Sequence, residues 1–169
     1  MEALVLMLRQ DDPFKCTAAK LVKFGLIRQV RYLHKDTLIL NPLADILLSR
    51  KDLKISRSIC AIDCSWKQAE SVLQRSRYFT YRGIDRRLPL LLAANPINYA
   101  KVGLLSTAEA LAGSLYILGY KILAEEFMNK FKWGHTFLEL NHDMLEDYAN
   151  VENPKQIGEI EHQYFPHLY

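Results

Sequence analysis

The feature that most constrains the fold is an apolar run, LPLLLAA, at residues 88–94. Because it is apolar on both faces of any strand it could form, it predicts a central parallel strand covered by helices on both sides. Strands of this kind belong to α/β folds, in which helices pack against a parallel sheet. The run is too short to cross a bilayer, which takes about 18 apolar residues or more. We therefore expect an α/β protein without a membrane span.

Shorter patterns predict further elements on both sides of this run. The apolar stretches 4–8 and 58–62 predict buried strands, and 27–33 and 37–40 are also β-like. Helices are predicted from Thr17 to near Gly25, from Trp66 to about Gln74 and over His135 to Ala149. Ser106 and Glu109 form a capping box before a long amphipathic segment, whose apolar stripe runs from Ala108 to Ile122.

A polar segment, SRKDLKISRS at residues 49–58, separates two differently patterned parts of the chain. It predicts a small N-terminal α+β domain over residues 1–56 and an α/β domain over residues 57–169. The chain of 169 residues has a net charge of +3, which permits a nucleic-acid partner without requiring one.

Several classes of protein are excluded by motifs that the sequence lacks. The glycines are too far apart for a G-x-G-x-x-G fingerprint or a phosphate-binding P-loop, and no G-x-S-x-G nucleophile elbow is present. The histidines have no ligand spacing, so we expect no metal site. Cys16, Cys60 and Cys64 form no C-x-x-C unit, and the first residues lack the pattern of a signal peptide. These features favour a cytoplasmic protein.

Three loops, at residues 62–66, 92–99 and 103–107, follow predicted strands. Open α/β sheets bind ligands at the carboxyl ends of their strands, so these loops are the candidate site. Asp63 would place a carboxylate there, although it could equally cap the following helix, and the two roles can coexist. Trp66 is by default a core residue, but its place beside Asp63 would also suit a flat or cationic ligand.

The order of several short motifs resembles that of the small-subunit ribosomal RNA aminocarboxypropyltransferases, in particular their short archaeal members. The motifs are DDP at 11–13, KCTA at 15–18, DCSW at 63–66, RLP at 87–89, AANPINY at 93–99 and FKWG at 131–134. Each string alone is weak, but together they extend over nearly the whole chain in the right order.

The resemblance implies a fold related to the SPOUT RNA methyltransferases, with a trefoil knot in the C-terminal α/β domain. It also implies S-adenosylmethionine as the substrate, bound without a glycine-rich loop. The 3-amino-3-carboxypropyl group would be transferred to N3 of a uridine, or of a modified uridine, in small-subunit rRNA, and methylthioadenosine would be released. No metal is implied.

By the same resemblance, backbone groups of Ile62 and Leu88 would hold the ribose and adenine, and Leu105 would pack on the base. Trp66 would cover the methyl group or the sulfonium. Thr17 and Thr107 would receive the carboxylate of the transferred group. Asp63 would hold its amino group or assist deprotonation of N3, and the two roles stay open.

The candidates for RNA binding are Lys15, Lys20, Arg28 and Arg57. Because the net charge is modest, we expect the pre-ribosomal particle to supply much of the affinity, and we expect the enzyme itself to be a monomer. Two other functions stay open. A SPOUT-type rRNA methyltransferase would release adenosylhomocysteine, and a non-enzymatic ribosome-assembly factor would not bind S-adenosylmethionine.

Overall fold

A parallel β-sheet organises the computed structural model, which describes residues 1–7, 16–63 and 82–168. The sheet order in this part of the chain is β2-β1-β4-β3-β5, and every pairing is parallel. The strands are β1 (Glu2–Met7), β2 (Arg28–Gln29), β3 (Thr37–Leu40), β4 (Ser58–Asp63) and β5 (Ile84–Arg86). The α/β class and the apolar strands at β1 and β4 are therefore confirmed.

The helices of the described residues lie mostly in the second half of the chain. They are α1 (Thr17–Lys23), α2 (Thr107–Ile117), α3 (Lys121–Met128), α4 (Gly134–Leu140), α5 (His142–Ala149) and α6 (Pro154–Tyr164). Short 3₁₀ helices cover Arg50–Lys54 and Pro166–Leu168. The start of α1 at Thr17 is as predicted, whereas the predicted helix from Trp66 to Gln74 lies outside the described residues. No described helix is long and apolar enough to span a membrane.

Helix α2 lies at the centre of the core and is buried along nearly its whole length. The predicted capping box is confirmed, because Ser106 accepts from the Glu109 N–H and Glu109 accepts from the Ser106 N–H. The predicted apolar stripe is confirmed for Ala108, Leu111, Leu115 and Leu118, which are all buried, and is wrong for Ile122. The chain turns at Gly119, where φ is +90°, and Ile122 lies on α3 with 83% of its surface exposed. A helix that is apolar all round belongs in the interior, and the stripe was only part of that surface.

The apolar run 88–94 is not a strand of the sheet. Its only strand-like pairing with described residues outside the run is an isolated bridge between Leu92 and Val102. The N–H groups of Leu90, Leu92 and Ala94 donate instead to side chains, those of Glu161, Asn141 and Glu109. Side chains from α2, α6 and the junction of α4 and α5 thus take the place of a neighbouring strand for these N–H groups. Leu91 and Ala93 bond instead to the backbone of residues 100–103. The prediction of a central strand is wrong for that reason.

The segment predicted as a domain boundary contains the 3₁₀ helix Arg50–Lys54. Its Asp52 is buried and pairs with Arg86 at 2.8 Å. The sheet combines β1, β2 and β3 from one side of residue 57 with β4 and β5 from the other. The division into domains 1–56 and 57–169 stays a prediction.

Candidate active site

Asp63 is the last residue of β4 and connects the starts of two helices. Its Oδ1 accepts a hydrogen bond from the Thr107 hydroxyl at 2.7 Å, and its Oδ2 accepts one from the Cys16 thiol at 3.1 Å. Cys16 is the N-cap of α1, and Thr107 is the first residue of α2. The structure therefore brings together the predicted residues Asp63, Thr17 and Thr107 at the carboxyl edge of the sheet.

Cys16 takes part in this network as a protonated thiol. Burial, with Asp63 adding to its effect, raises the pKa of Cys16 to about 11. The sulfur also accepts from the Ala19 N–H at 3.3 Å, which caps α1. At neutral pH the thiol is a hydrogen-bond donor and not a nucleophile.

Thr17 and Thr107 offer opposite hydrogen-bonding capacity to a ligand. The hydroxyl of Thr17 accepts from the Ala108 N–H at 3.2 Å, so its own proton is left to donate. The hydroxyl of Thr107 gives its proton to Asp63, so toward a ligand it can accept. The backbone N–H of Thr107 has no partner among the described residues, as is usual in the first turn of a helix. Donors and acceptors thus lie side by side.

A cavity opens next to this network at the ends of β3 and β4. Its walls are mostly apolar, and its polar side chains come from a few residues. The described lining residues are Leu40, Asn41, Pro42, Ala61, Ile62, Arg87, Leu88, Pro89, Leu90, Gly103, Leu105, Ser106, Thr107 and Ala110. Four of the predicted site residues, Ile62, Leu88, Leu105 and Thr107, therefore line one cavity.

One of these lining residues presents open backbone groups, and another lies where the neighbouring strand has ended. Leu88 is half-buried, and neither its N–H nor its carbonyl has a partner among the described residues. Ile62 lies beyond the end of β3, because that strand pairs with β4 only as far as Leu40 opposite Ala61. Both positions suit recognition of a ligand by main-chain atoms.

Residues 40–42 line the cavity but are missing from the sequence prediction. They follow β3, so the rule that ligands bind at the carboxyl ends of parallel strands could have found them. The loop at 95–99 behaves differently. Asn95 is buried, donates to Glu109 and is absent from the lining, so its role is to hold the loop.

The predicted RNA-binding residues do not form one group. Lys20 is exposed on α1, with its Nζ 4.8 Å from the centre of the Phe131 ring. Arg28 pairs with Glu2 at 2.8 Å on the edge strand. Arg57 precedes β4 and lies at the amino edge of the sheet, opposite to the edge that carries Asp63. Lys15 and Trp66 lie outside the described residues. In residues 1–7, 16–63 and 82–168, no cluster of His, Cys, Asp and Glu could hold a metal ion.

Comparison with known proteins gives one consistent family. Residues 38–165 match the family model described as "Ribosome biogenesis protein, C-terminal". The "16S rRNA aminocarboxypropyltransferase" of Thermoplasma volcanium is 44% identical over 95% of this chain and 96% of its own length. The protein of that name from Methanopyrus kandleri is 40% identical over 96% of this chain and 98% of its own length.

A solved structure gives the same result. The SAM-dependent rRNA:acp-transferase Tsr3 from Vulcanisaeta distributa superimposes with a TM-score of 0.84 and 38% sequence identity, over 99% of this chain and 97% of that chain. Sequence and fold therefore agree along nearly the full length. The resemblance found in the motifs is confirmed, and this chain belongs to the family of the 16S rRNA aminocarboxypropyltransferases.

Proposed function

We propose that this chain transfers the 3-amino-3-carboxypropyl group of S-adenosylmethionine to small-subunit rRNA. The observation that carries the proposal is the position of the Asp63–Thr107 pair beside an apolar cavity with open main-chain groups. That combination suits a ligand with a flat apolar base at one end and a zwitterionic amino acid at the other. The relatives named above support the same assignment.

The apolar part of the cavity fits the adenosyl half of the substrate. Ile62, Leu88 and Leu105 supply the walls, and burial of apolar surface contributes about 25 cal/mol per Å². The open N–H and carbonyl of Leu88 can pair with the polar edge of the adenine. No glycine-rich loop is needed, because the substrate has no phosphate to hold.

The hydrogen-bond network beside the cavity fits the amino acid half. Thr107 lines the cavity, and Thr17 and Asp63 adjoin it through their contacts with Ala108 and Thr107. The Thr17 hydroxyl and the N–H of Thr107, which has no partner among the described residues, are both donors. They suit the carboxylate, which the start of α2 also attracts. The Thr107 hydroxyl oxygen and Asp63 suit the ammonium group. Both oxygens of Asp63 already accept hydrogen bonds, so we assign it to the ammonium group and not to deprotonation of the uridine.

The reaction requires selection of one carbon among the three attached to the sulfonium. In the proposed step, N3 of the uridine attacks the γ-carbon of the aminocarboxypropyl group and forms a C–N bond. The C–S bond breaks with its electron pair going to sulfur, which leaves neutral methylthioadenosine, and the N3 proton goes to solvent. Holding the γ-carbon in line with N3 is the protein's main contribution. We propose that Trp66 shields the methyl group.

The RNA would approach the end of the cavity where the transferred group lies. Lys20 is on the exposed side of α1, three residues after Thr17, and Lys15 precedes Thr17 by two. These lysines are our candidates for phosphate contacts. Arg57 is the alternative, at the opposite edge of the sheet.

We also propose, from the resemblance, that the enzyme acts as a cytoplasmic monomer on the pre-ribosomal particle and that its second half carries a trefoil knot. The position of β4 between β1 and β3 supports a non-sequential path of the chain.

Titration calorimetry with S-adenosylmethionine and with methylthioadenosine tests the substrate assignment. We expect both to bind, the first in the micromolar range or tighter. Absence of binding would leave a non-enzymatic assembly factor as the better account.

Mass spectrometry of small-subunit rRNA from a strain that lacks the gene should show the loss of one aminocarboxypropyl group. Loss of a methyl group instead would identify a methyltransferase.

A further inference from the structure

Glu161 is a buried carboxylate that holds residues 87–90, which form one wall of the cavity and are called the wall segment below. Its side chain is 0% exposed on helix α6. Its Oε1 accepts from the Leu90 N–H at 2.7 Å and from Arg87 Nη1 at 3.0 Å, and its Oε2 accepts from Arg87 Nη2 at 2.9 Å. The residues it holds flank Leu88 and Pro89, which line the cavity.

We propose that Glu161 is a positioning residue for the nucleoside half of the S-adenosylmethionine site and acts through the backbone of Leu88. This inference rests on the proposed function. Leu88 itself has no hydrogen-bond partner among the described residues, so its place in the cavity depends on how its neighbours are fixed. Helix α6, near the end of the chain, thereby becomes part of the substrate site without touching the substrate.

The two ends of the wall segment are fixed in different ways. The Arg87 backbone bonds to Ile46 and Leu48, both at 2.8 Å, so that end stays in place without Glu161. At the other end, Glu161 is the partner of the Leu90 N–H, and the carbonyl of Leu90 has a longer bond to Tyr148 at 3.2 Å. After Leu90 the chain is held independently of Glu161, because the Gly103 N–H donates to the Leu91 carbonyl and Asn141 bonds to Leu92. Loss of Glu161 should therefore release the Leu90 N–H and let Leu88, between Arg87 and Leu90, shift.

Stability alone does not explain a buried ion pair here. Desolvation of two charges cancels much of their attraction, and well-packed apolar residues of similar size are often as stable. A bidentate pair does fix geometry, because the planar guanidinium fits the carboxylate in one orientation. This geometric constraint at the rim of a ligand cavity supports a positioning role.

The chain offers a matched control one residue away. Arg86 pairs with Asp52 at 2.8 Å, and their side chains are 12% and 4% exposed. Asp52 also accepts a backbone N–H, that of Ser49 at 3.0 Å. Neither Asp52 nor Arg86 lines the cavity. Asp52→Asn thus removes a comparable buried charge pair without releasing the wall segment.

The test compares two ligands in Glu161→Gln and Asp52→Asn by calorimetry, with melting temperatures measured in parallel. Glu161→Gln should weaken the binding of S-adenosylmethionine and of methylthioadenosine by the same factor, about tenfold, since the two ligands share the nucleoside. Asp52→Asn should lower the melting temperature and leave both affinities within about twofold of wild type. Thr107→Val, at the end of the site that holds the amino acid half of the substrate, should weaken the binding of S-adenosylmethionine alone.

Glu161→Asp is the second variant, used in case the glutamine variant does not fold. It keeps the buried charge but is one methylene shorter, so it cannot reach both Arg87 and Leu90 in the present geometry. Glu161→Asp should also weaken the binding of both ligands by the same factor. Wild-type affinity for methylthioadenosine in a folded Glu161 variant would overturn the inference, as would an equal loss in Asp52→Asn. Failure of the wild-type protein to bind either ligand would instead contradict the proposed function.

Discussion

The hydroxyl of Thr107 donates to the carboxylate of Asp63 across 2.7 Å, although the two residues are 44 positions apart in the chain. This pair fixes which groups are available to the amino acid end of the substrate. The acceptors at this end of the site are the Thr107 oxygen and the Asp63 carboxylate, and the donors are the Thr17 hydroxyl and the Thr107 N–H. The arrangement can distinguish an ammonium from a carboxylate.

Asp63→Asn should weaken S-adenosylmethionine binding by about tenfold or more, because it removes the negative charge opposite the ammonium group. Methylthioadenosine, which has no ammonium group, should bind as to the wild-type protein. Asp36→Asn is the matched control, since Asp36 pairs with Arg57 on the surface at 3.6 Å. Calorimetry with both ligands measures the change in each affinity. An equal loss of both affinities would mean that Asp63 holds the fold and not the ligand.

Cys16 should react slowly with iodoacetamide at pH 7–8. Only the thiolate is nucleophilic, and burial together with Asp63 raises the pKa of this thiol to about 11. The rate of modification should therefore keep rising as the pH increases toward 11, beyond the point at which an ordinary cysteine is fully ionised. Peptide mass spectrometry after timed alkylation follows Cys16 individually. A rate that reaches half of its plateau near pH 8.5 would contradict the raised pKa.

The double change Lys15→Ala and Lys20→Ala should weaken RNA binding and leave the affinity for S-adenosylmethionine unchanged. If both lysines contact phosphates of single-stranded RNA, the slope of log K against log salt should become shallower by about 1.4, or about 0.7 for each contact. Filter binding over a range of salt concentrations measures this. Arg57→Ala is the comparison, and an effect in that variant alone would move the RNA face to the amino edge of the sheet.

Two glycine substitutions should change stability in opposite directions. A Cβ at Gly134 would lie 1.9 Å from the Met128 carbonyl oxygen, so Gly134→Ala must displace backbone and should cost about 2–5 kcal/mol. Gly158 lies inside helix α6, and a Cβ there would have its nearest contact at 3.5 Å, with the side chain of Leu47. Gly158→Ala should therefore stabilise the protein by about 0.5–1 kcal/mol. Urea unfolding measures both, and a Gly134→Ala protein as stable as wild type would contradict the close approach of Gly134 to the Met128 carbonyl.

Local signals in the sequence were sufficient for the elements that carry the catalytic candidates. The apolar run before Asp63 defines β4, and the Ser106 and Glu109 capping box defines the start of α2. Each depends on residues within a few positions of one another. The position of Thr17 at the start of a helix has the same basis, whereas its approach to Asp63 came only from the resemblance.

The structure of the apolar run 88–94 could not be predicted in this way. Its hydrogen-bond acceptors, Glu109, Asn141 and Glu161, lie 15, 49 and 71 residues further along the chain from the N–H groups that they accept. An apolar run gives the same pattern whether a strand or a set of buried side chains satisfies its backbone. The open N–H and carbonyl of Leu88, on which substrate binding is proposed to depend, follow from these distant contacts.

Identification of the nucleoside product tests the central claim most directly. The protein is incubated with S-adenosylmethionine and small-subunit rRNA from a strain that lacks the gene, and the small molecules are separated and identified by mass spectrometry. The proposed reaction predicts methylthioadenosine in an amount equal to the aminocarboxypropyl groups found on the rRNA. Release of adenosylhomocysteine, with methyl groups on the rRNA, would contradict it.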